Sequence, residues 1–373
     1  MDGLDLSGAP PEPIRPTTTA ELVKRVVQVV VGLALAIFLL GWVLPWLTHT
    51  TWPEIIDNLE RVGWRKALIC LVLMFGGLWV YTFTISASLP GMRHAPALIV
   101  NLCGSGVSNS MPGGGAVGVA AQYAIFRSWG FSHRNIGTSL IITSTFNLLI
   151  RMVLPIVAIV WLILSTERDL PSIIVQGALI GGGAGLVLAG MLVAILASQR
   201  SAHAIGRFLN AVVRPVLKLL RRDHGQDVEA LAVDMRTRII GVVRPNWPML
   251  VLGIVGFLGI YFFLFRETMT AFGIYLTWGE AFACYAFSRL LTMVPLTPGG
   301  IGITEIAAVL MVAFGADGAA AAAAVFLFAI YSHLLEIPFG AMSAAVWAAT
   351  RKRYRVDQPD GGPEDGPVTR AAH

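Results

Sequence analysis

Charged side chains are scarce in this chain of 373 residues. Asp, Glu, Lys and Arg together make up 13% of it, whereas a typical soluble domain has about 25%. Hydrophobic residues make up 55%, so the composition excludes an ordinary soluble domain. The net charge of +5 does not indicate nucleic-acid binding. The basic residues lie between and after apolar runs, where the cytoplasmic loops of membrane proteins collect Lys and Arg.

Cysteines and recognisable catalytic motifs are equally scarce. Cys70, Cys103 and Cys284 stand in apolar segments with no Cys-x-x-Cys spacing, which favours buried small side chains over disulfides or metal ligands. The sequence has no metal-ligand spacing, nucleophile elbow or kinase signature, and no Gly-Lys-Ser/Thr follows its glycine-rich segments. We therefore expect no metal, no cofactor and no enzymatic activity.

Long apolar runs, by contrast, are abundant. A helix needs roughly 20 apolar residues to cross a membrane. Six runs approach that length: residues 26–47, 67–89, 136–165, 171–197, 247–267 and 319–349. The first is too long for a cleaved signal peptide and is expected to stay as an anchor. The sequence therefore predicts an all-α polytopic membrane protein with about six spans.

Two further apolar segments, about 96–129 and 280–314, are each broken in the middle. The breaks are Pro112, Gly113 and Gly114 in the first segment and Pro298, Gly299 and Gly300 in the second. Helices end at such clusters. Irregular backbone at membrane depth is tolerated only where protein or a water-filled cavity surrounds it. We predict that each segment is a re-entrant hairpin that turns at its Pro-Gly-Gly.

The basic clusters indicate the orientation and the division of the chain. Residues 20–25, 200–244 and 351–355 hold the strongest clusters and belong in the cytoplasm by the positive-inside tendency. In the inner (cytoplasmic) membrane, both termini are then cytoplasmic and the two hairpins enter from opposite faces. The predicted parts are a disordered tail (1–22), a first membrane half (23–199), a basic cytoplasmic linker (200–246), a second membrane half (247–350) and a cytoplasmic tail (351–373).

The two halves show signs of an internal repeat. Counting 35 residues from the proline of each Pro-Gly-Gly reaches Asn147 and His333, each followed by Leu-Leu. A charged residue follows in both halves, Arg151 in the first and Glu336 in the second. With hairpins from opposite faces this is an inverted-topology repeat, typical of secondary transporters with a binding site near the midplane. The alternative is chance recurrence among 39 Gly and 20 Pro.

Polar residues inside the predicted membrane segments are the candidate functional residues, because ionisable groups there usually face a cavity or a partner. The candidates are Arg151, Arg289, Glu305, His333 and Glu336, together with Asn101, Asn109 and Asn147. Arg289 lies nine residues before Pro298 and Glu305 seven after it. At about 1.5 Å per helical residue the two would lie at similar depth. They could form an ion pair across the hairpin, with a structural role or as part of a path for a headgroup or an ion.

The segment Pro295-Leu-Thr-Pro-Gly-Gly-Ile-Gly-Ile-Thr-Glu305 resembles the hallmark of the lysylphosphatidylglycerol synthase transmembrane-region family, Pro-x-Thr-Pro-Gly-Gly-x-Gly-x-x-Glu. That family includes the flippase domain of the multiple peptide resistance factor and stand-alone membrane proteins of bacteria and archaea. The upstream Met-Pro-Gly-Gly-Gly fits the family's first Pro-Gly-Gly element. The resemblance implies movement of a lipid between leaflets. Residues 351–373 leave no room for an aminoacyl transferase, so it implies a translocase without its own synthase.

We therefore expect a flippase-like lipid translocase. Its substrate would be a phosphate-bearing membrane lipid, such as an aminoacylated phospholipid or a polyprenyl-phosphate-linked sugar. Arg151 and Arg289 would meet phosphate, and Glu305 and Glu336 would meet an amine or carry a coupling proton. The open alternatives are a non-transporting partner of a lipid or cell-envelope synthesis complex, a membrane-embedded lipid-modifying enzyme and a transporter of a small solute. A separate lipid-synthesising enzyme is a candidate partner, and the pattern is compatible with a homo-oligomer.

Overall fold

The computed structural model describes residues 51–53, 57, 62–110, 114–165, 228–292, 306–350 and 353–354, and the isolated helical positions 183, 187 and 190. Within these residues every regular element is a helix. Several predicted features lie outside them. These are the spans at 26–47 and 171–197, most of both Pro-Gly-Gly turns (Pro112, Gly113, Pro298, Gly299 and Gly300) and Glu305.

Nine α-helices and one π-helical turn have both of their bounds among the described residues. In chain order they are α1 (Trp64–Ser88), α2 (His94–Ser110), α3 (Gly114–Ser128), α4 (His133–Ser165), α5 (Val228–Ala271), α6 (Trp278–Leu291), α7 (Ile306–Ala313), α8 (Gly318–Ala329), the π-helical turn (Ile330–Leu334) and α9 (Glu336–Thr350). Gly114, predicted as part of a turn, is the first residue of α3.

Among the described residues, four stretches of helix are long and apolar enough to cross a membrane: Trp64–Ser88, His133–Leu164, Ile239–Ala271 and Gly318–Thr350. Each contains or overlaps one predicted span. The third belongs to a helix that already begins at Val228, inside the stretch predicted as a basic linker. Arg is a good helix former, so basic composition alone does not end a helix.

The outer faces of these helices are apolar. On α1 the exposed side chains include Leu68, Val72 and Trp79, while Thr82 and Ser88 are buried. A water-soluble bundle would instead bury the apolar side chains and expose the polar ones. The apolar exterior is the surface that a lipid environment requires, and it leaves polar groups to be satisfied inside the bundle.

Helices α2 and α3 are short and pack against each other in antiparallel directions. A Cβ atom on Gly104 would lie 2.3 Å from the Gln122 side chain, and one on Gly118 would lie 2.5 Å from the Gly104 carbonyl oxygen. Ser108, near the end of α2, is in turn the neighbour of Gly114 at the start of α3. Close approach of helices through small residues is the usual packing in membranes, where helix association depends on van der Waals fit.

The α2–α3 pair opens at the end of the bundle where α1 ends and α4 begins. Leu89, Ala97, Trp129 and Ile136 share one buried cluster there. We call this the basic end, because it carries the basic side chains Arg93, Arg127, His133 and Arg134. The opposite end is where α1 begins.

The α6–α7 pair opens at that opposite end. Lys66 at the start of α1 forms a 2.5 Å ion pair with Glu267 near the end of α5, and Arg266 beside it lies over the ring of Trp278 at the start of α6. Phe314, just after α7, packs with α6 and the later part of α4 in a second cluster. The open ends of the two pairs of short helices therefore lie at opposite ends of the bundle.

Helices α2 and α9 touch through two glycines. A Cβ atom on Gly106 would lie 2.9 Å from the Glu336 carbonyl oxygen, and one on Gly340 would lie 2.7 Å from the Leu102 carbonyl oxygen. Both obstacles are backbone, which cannot move aside as a flexible side chain can. This crossing fixes α2 against the residues that follow the π-helical turn and so positions one wall of the cavity described next.

Candidate functional site

A polar cavity of about 350 Å³ lies where the two halves of the chain meet. Seven of the eight polar residues singled out from the sequence line it: Asn101, Asn109, Asn147, Arg151, Arg289, His333 and Glu336. Gly114 lines it as well. The eighth residue, Glu305, lies outside the described residues. Sequence reasoning missed other polar lining residues, namely Tyr81, Ser105, Ser108, Gln122, Tyr261, Thr292 and Ser332.

Glu336 is buried at the start of α9 and is bonded to two other helices. Its Oε2 atom accepts a hydrogen bond from Asn109 Nδ2 on α2 at 2.8 Å, and its Oε1 atom accepts one from the Tyr261 hydroxyl on α5 at 3.1 Å. Burying a carboxylate is expensive unless donors surround it. Here neutral donors from both halves of the chain fill that role.

Arg289 is held by aromatic faces near the C-terminus of α6. Its guanidinium carbon lies 5.5, 5.2 and 5.0 Å from the ring centres of Tyr261, Tyr285 and Phe328. Such cation–π contacts stabilise a cation without using its N–H groups, and the negative end of a helix dipole favours a cation at this position. The side chain is only 5% exposed. Within the described part of the chain, its Nε and Nη2 atoms have no hydrogen-bond partner.

Arg151 on α4 reaches the same place from the other half. Its Nη1 atom donates to Thr292 Oγ1 at 3.2 Å, and Thr292 Oγ1 donates to the Arg289 carbonyl oxygen at 2.8 Å. Thr292 thus links the two arginines at the end of α6. Arg151 Nε is buried and has no partner among the described residues.

Asn147 and His333, which the sequence pattern matches as a predicted repeat, both line the cavity but bond differently. Asn147 donates through Nδ2 to the Tyr81 hydroxyl at 2.6 Å, and its Oδ1 atom has no partner in the described structure. His333 Nδ1 lies 2.7 Å from Ser332 Oγ. The π-helical turn that contains His333 is closed by a hydrogen bond from Leu335 N to Ile330 O at 2.8 Å. Such turns occur frequently at functional sites.

The cavity therefore has a surplus of donors. Among the described residues, the buried side-chain atoms that lack partners include Arg151 Nε, Arg289 Nε and Nη2, and Asn101 Nδ2. Two guanidinium groups with free N–H groups are suited to an oxyanion such as phosphate. No group of His, Cys, Asp or Glu in the described segments could hold a metal ion.

These features define a class: a helical membrane protein with an apolar exterior and a buried, donor-rich cavity between two halves. Residues 29–340 match the family described as the lysylphosphatidylglycerol synthase TM region, and the chain belongs to that family. The family expected from the segment Pro295–Glu305 is thereby confirmed. A search of curated proteins found no match.

Proposed function

We propose that the protein is a lipid translocase that moves a phosphate-bearing lipid between the two leaflets. Membership of a membrane family named for a lipid synthase supports a lipid-related role. The observation that carries the proposal is the pair of arginines in the cavity, Arg151 and Arg289, whose N–H groups are not saturated by described protein groups. A phosphate group would supply the missing acceptors.

The main free-energy barrier in lipid translocation comes from the charged headgroup. A charged headgroup that crosses unaided must lose its hydration, and an unpaired charge in a low-dielectric medium costs several kcal/mol or more. The cavity would replace water by arginine N–H groups, while the acyl chains stay in the membrane. Gly114 places the N-terminus of α3 at the cavity wall, and this end carries partial positive charge that also favours an anion.

We further propose that the chain crosses the inner membrane about six times, with both termini in the cytoplasm and the pairs α2–α3 and α6–α7 as re-entrant hairpins. The packing that supports this is the opening of the two pairs toward opposite ends of the bundle. The basic end would face the cytoplasm. A cavity bordered by hairpins from opposite faces suits alternating access, in which one face opens at a time.

Lipid exchange in liposomes tests the function. Purified protein should accelerate leaflet exchange of a labelled phosphate-bearing lipid, and Arg151→Gln should slow exchange about tenfold or more, as expected when a group that contacts a charge is lost. Arg266→Gln is the matched control, because Arg266 lies over Trp278 away from the cavity. No protein-dependent exchange for any lipid of a broad panel, with or without a proton gradient, would favour a non-transporting partner of a lipid-synthesis complex instead.

Cysteine labelling tests the topology. In a background without Cys70, Cys103 and Cys284, a cysteine at Arg93 or His133 should react only from the cytoplasmic side, because both residues lie at the basic end. A cysteine at Tyr275, an exposed residue between α5 and α6, should react only from the outside. Labelling of positions 93 and 133 from opposite sides would show that α2 and α3 do not return to the same face.

A further inference from the structure

The polar cavity reaches the surface of the bundle on one side. Most of the described residues that line it are buried or half-buried, as Arg289 and Glu336 are. The exposed lining residues are Gly115 and Val119, both in the first half of α3, and Val119 is 40% exposed. Because residues four apart share a helix face, these two mark one edge of an opening.

The other edge of the opening is the middle of α4. Asn147 and Arg151 line the cavity from this helix. Ser144 and Leu148 lie on the same helix face, because they are three residues before each of them in turn. Both are exposed, Leu148 to 42%, although a closed cavity would cover this face. The cavity is therefore open between the first half of α3 and the middle of α4.

The packing of α3 explains why the opening lies there. The first half of α3 packs on α2, through Gly114 and Gly118. Its second half meets α4 at the basic end, where Phe126 and Ile136 belong to one buried cluster. Helix α3 is thus held to α4 at the basic end and to α2 further inward, which leaves the space between α3 and α4 open.

The opening lies at the depth of the lipid tails. Val119 is nine residues from Ser128, the last residue of α3 at the basic end, which is about 14 Å along the helix. The hydrocarbon core of a bilayer is about 30 Å thick, so Val119 lies near its middle. The exposed side chains beside the opening include Leu148 and Ile141, which are apolar. Acyl chains, rather than water, are what such a surface meets at this depth.

We propose that this opening is a lateral portal for lipid, an inference that rests on the proposed function. The headgroup passes between α3 and α4 to reach Arg151 and Arg289, while the acyl chains of the same lipid lie outside against Val119 and Leu148. A donor-rich interior joined to the hydrocarbon through an apolar mouth suits an amphiphile, because each part of the molecule then stays in the surroundings that it prefers.

Blocking the portal tests the inference. Val119→Trp places an indole ring in the opening. Val117→Trp is the matched control, because Val117 is 43% exposed on the same helix but points about 200° away from Val119 and does not line the cavity. In the liposome exchange assay, Val119→Trp should lose most of the protein-dependent exchange and Val117→Trp should keep it. Both side chains are exposed, so both variants should unfold near the wild-type midpoint.

Photocrosslinking tests the portal without transport. The photoreactive residue p-benzoylphenylalanine at position 119 or 117 should form lipid adducts in liposomes of phosphatidylethanolamine and phosphatidylglycerol, because both positions are exposed. Adding Arg151→Gln should lower the adduct yield at position 119, since the headgroup is no longer held in the cavity, and should leave the yield at position 117 unchanged. Arg266→Gln should change neither yield.

The outcomes that overturn the portal differ from those that overturn the function. If Val119→Trp exchanges lipid as fast as Val117→Trp, the headgroup does not pass between α3 and α4, although translocation stands. If the wild-type protein exchanges no lipid, translocation fails and crosslinking alone decides the portal. Adducts at position 119 that do not respond to Arg151→Gln, or that join it to a peptide of the same chain or of a second copy, would show that the opening does not admit lipid.

Discussion

The first and second halves of the chain both line one cavity, but they supply it with different kinds of side chain. Around the α2–α3 pair, the first half supplies mainly neutral hydrogen-bonding groups, Asn101 and Asn109 among them, with Arg151 as its one charged residue in the cavity lining described here. The second half supplies Arg289, Glu336 and the aromatic rings near them. The two halves thus contribute to the same cavity with side chains of different chemistry.

This asymmetry makes the contacts between the halves informative. Three of them join the α2–α3 pair to the end of the second half: the crossing of Gly106 and Gly340, the hydrogen bond from Asn109 to Glu336, and the hydrogen bond from Trp347 Nε1 to Ser128 Oγ. Substitutions at each of the three contacts should weaken the packing between the two halves to a different degree.

The largest effect is expected for Gly106→Leu. The new side chain would collide with the backbone of α9, and overpacking of this kind costs about 3 kcal/mol. Thermal unfolding of the detergent-purified protein, followed by circular dichroism, should show a clearly lowered midpoint. Gly137→Leu on α4 is the control, since a Cβ atom at Gly137 meets nothing within 4 Å. Equal stability of the two variants would mean that α2 and α9 do not cross at Gly106.

A smaller effect is expected for the bond between Asn109 and Glu336. In a double-mutant cycle with Asn109→Ala and Glu336→Ala, the coupling free energy should be about 1–3 kcal/mol, because each group loses its partner when the other is removed. The same cycle for Glu336 with Asn147, which bonds to Tyr81 instead, should give a coupling near zero. Additive effects for the first pair would show that the buried carboxylate is not tied to α2.

The smallest effect is expected for Trp347→Phe. The variant loses the hydrogen bond from Nε1 to Ser128 Oγ, which measures 2.9 Å and should be worth about 1 kcal/mol. Adding Ser128→Ala to it should cause little further loss of unfolding free energy. Trp247→Phe is the control, because Trp247 is mostly exposed on α5. If the two tryptophan variants behave alike, the bond contributes nothing to the docking of α3 on α9.

Hydropathy predicted the four long apolar helices of the described residues, and the rarity of polar residues in apolar segments identified half of the polar residues that line the cavity. Arg151, Arg289 and Glu336 were recognisable because an ionisable residue in an apolar run is costly unless it faces a cavity or a partner. The aromatic surroundings of Arg289 could not be recognised from the sequence. Tyr261, Tyr285 and Phe328 stand in apolar segments, where the sequence does not show which way an aromatic side chain points. Gly106 and Gly340 were missed for a related reason, because in sequence a glycine does not reveal whether it serves close packing.

The π-helical turn at Ile330–Leu334 has a consequence for which changes the chain can tolerate. A π-helical turn holds one more residue than an α-helical turn, and one residue corresponds to a rotation of about 100° around a helix. Glu336 and Gly340 both follow it, so its extra residue sets the direction in which each points. Deleting a single residue there would swing the carboxylate away from Asn109 and the glycine away from Gly106 together. In evolutionary terms, selection at this turn should act more strongly on the number of residues than on their identity.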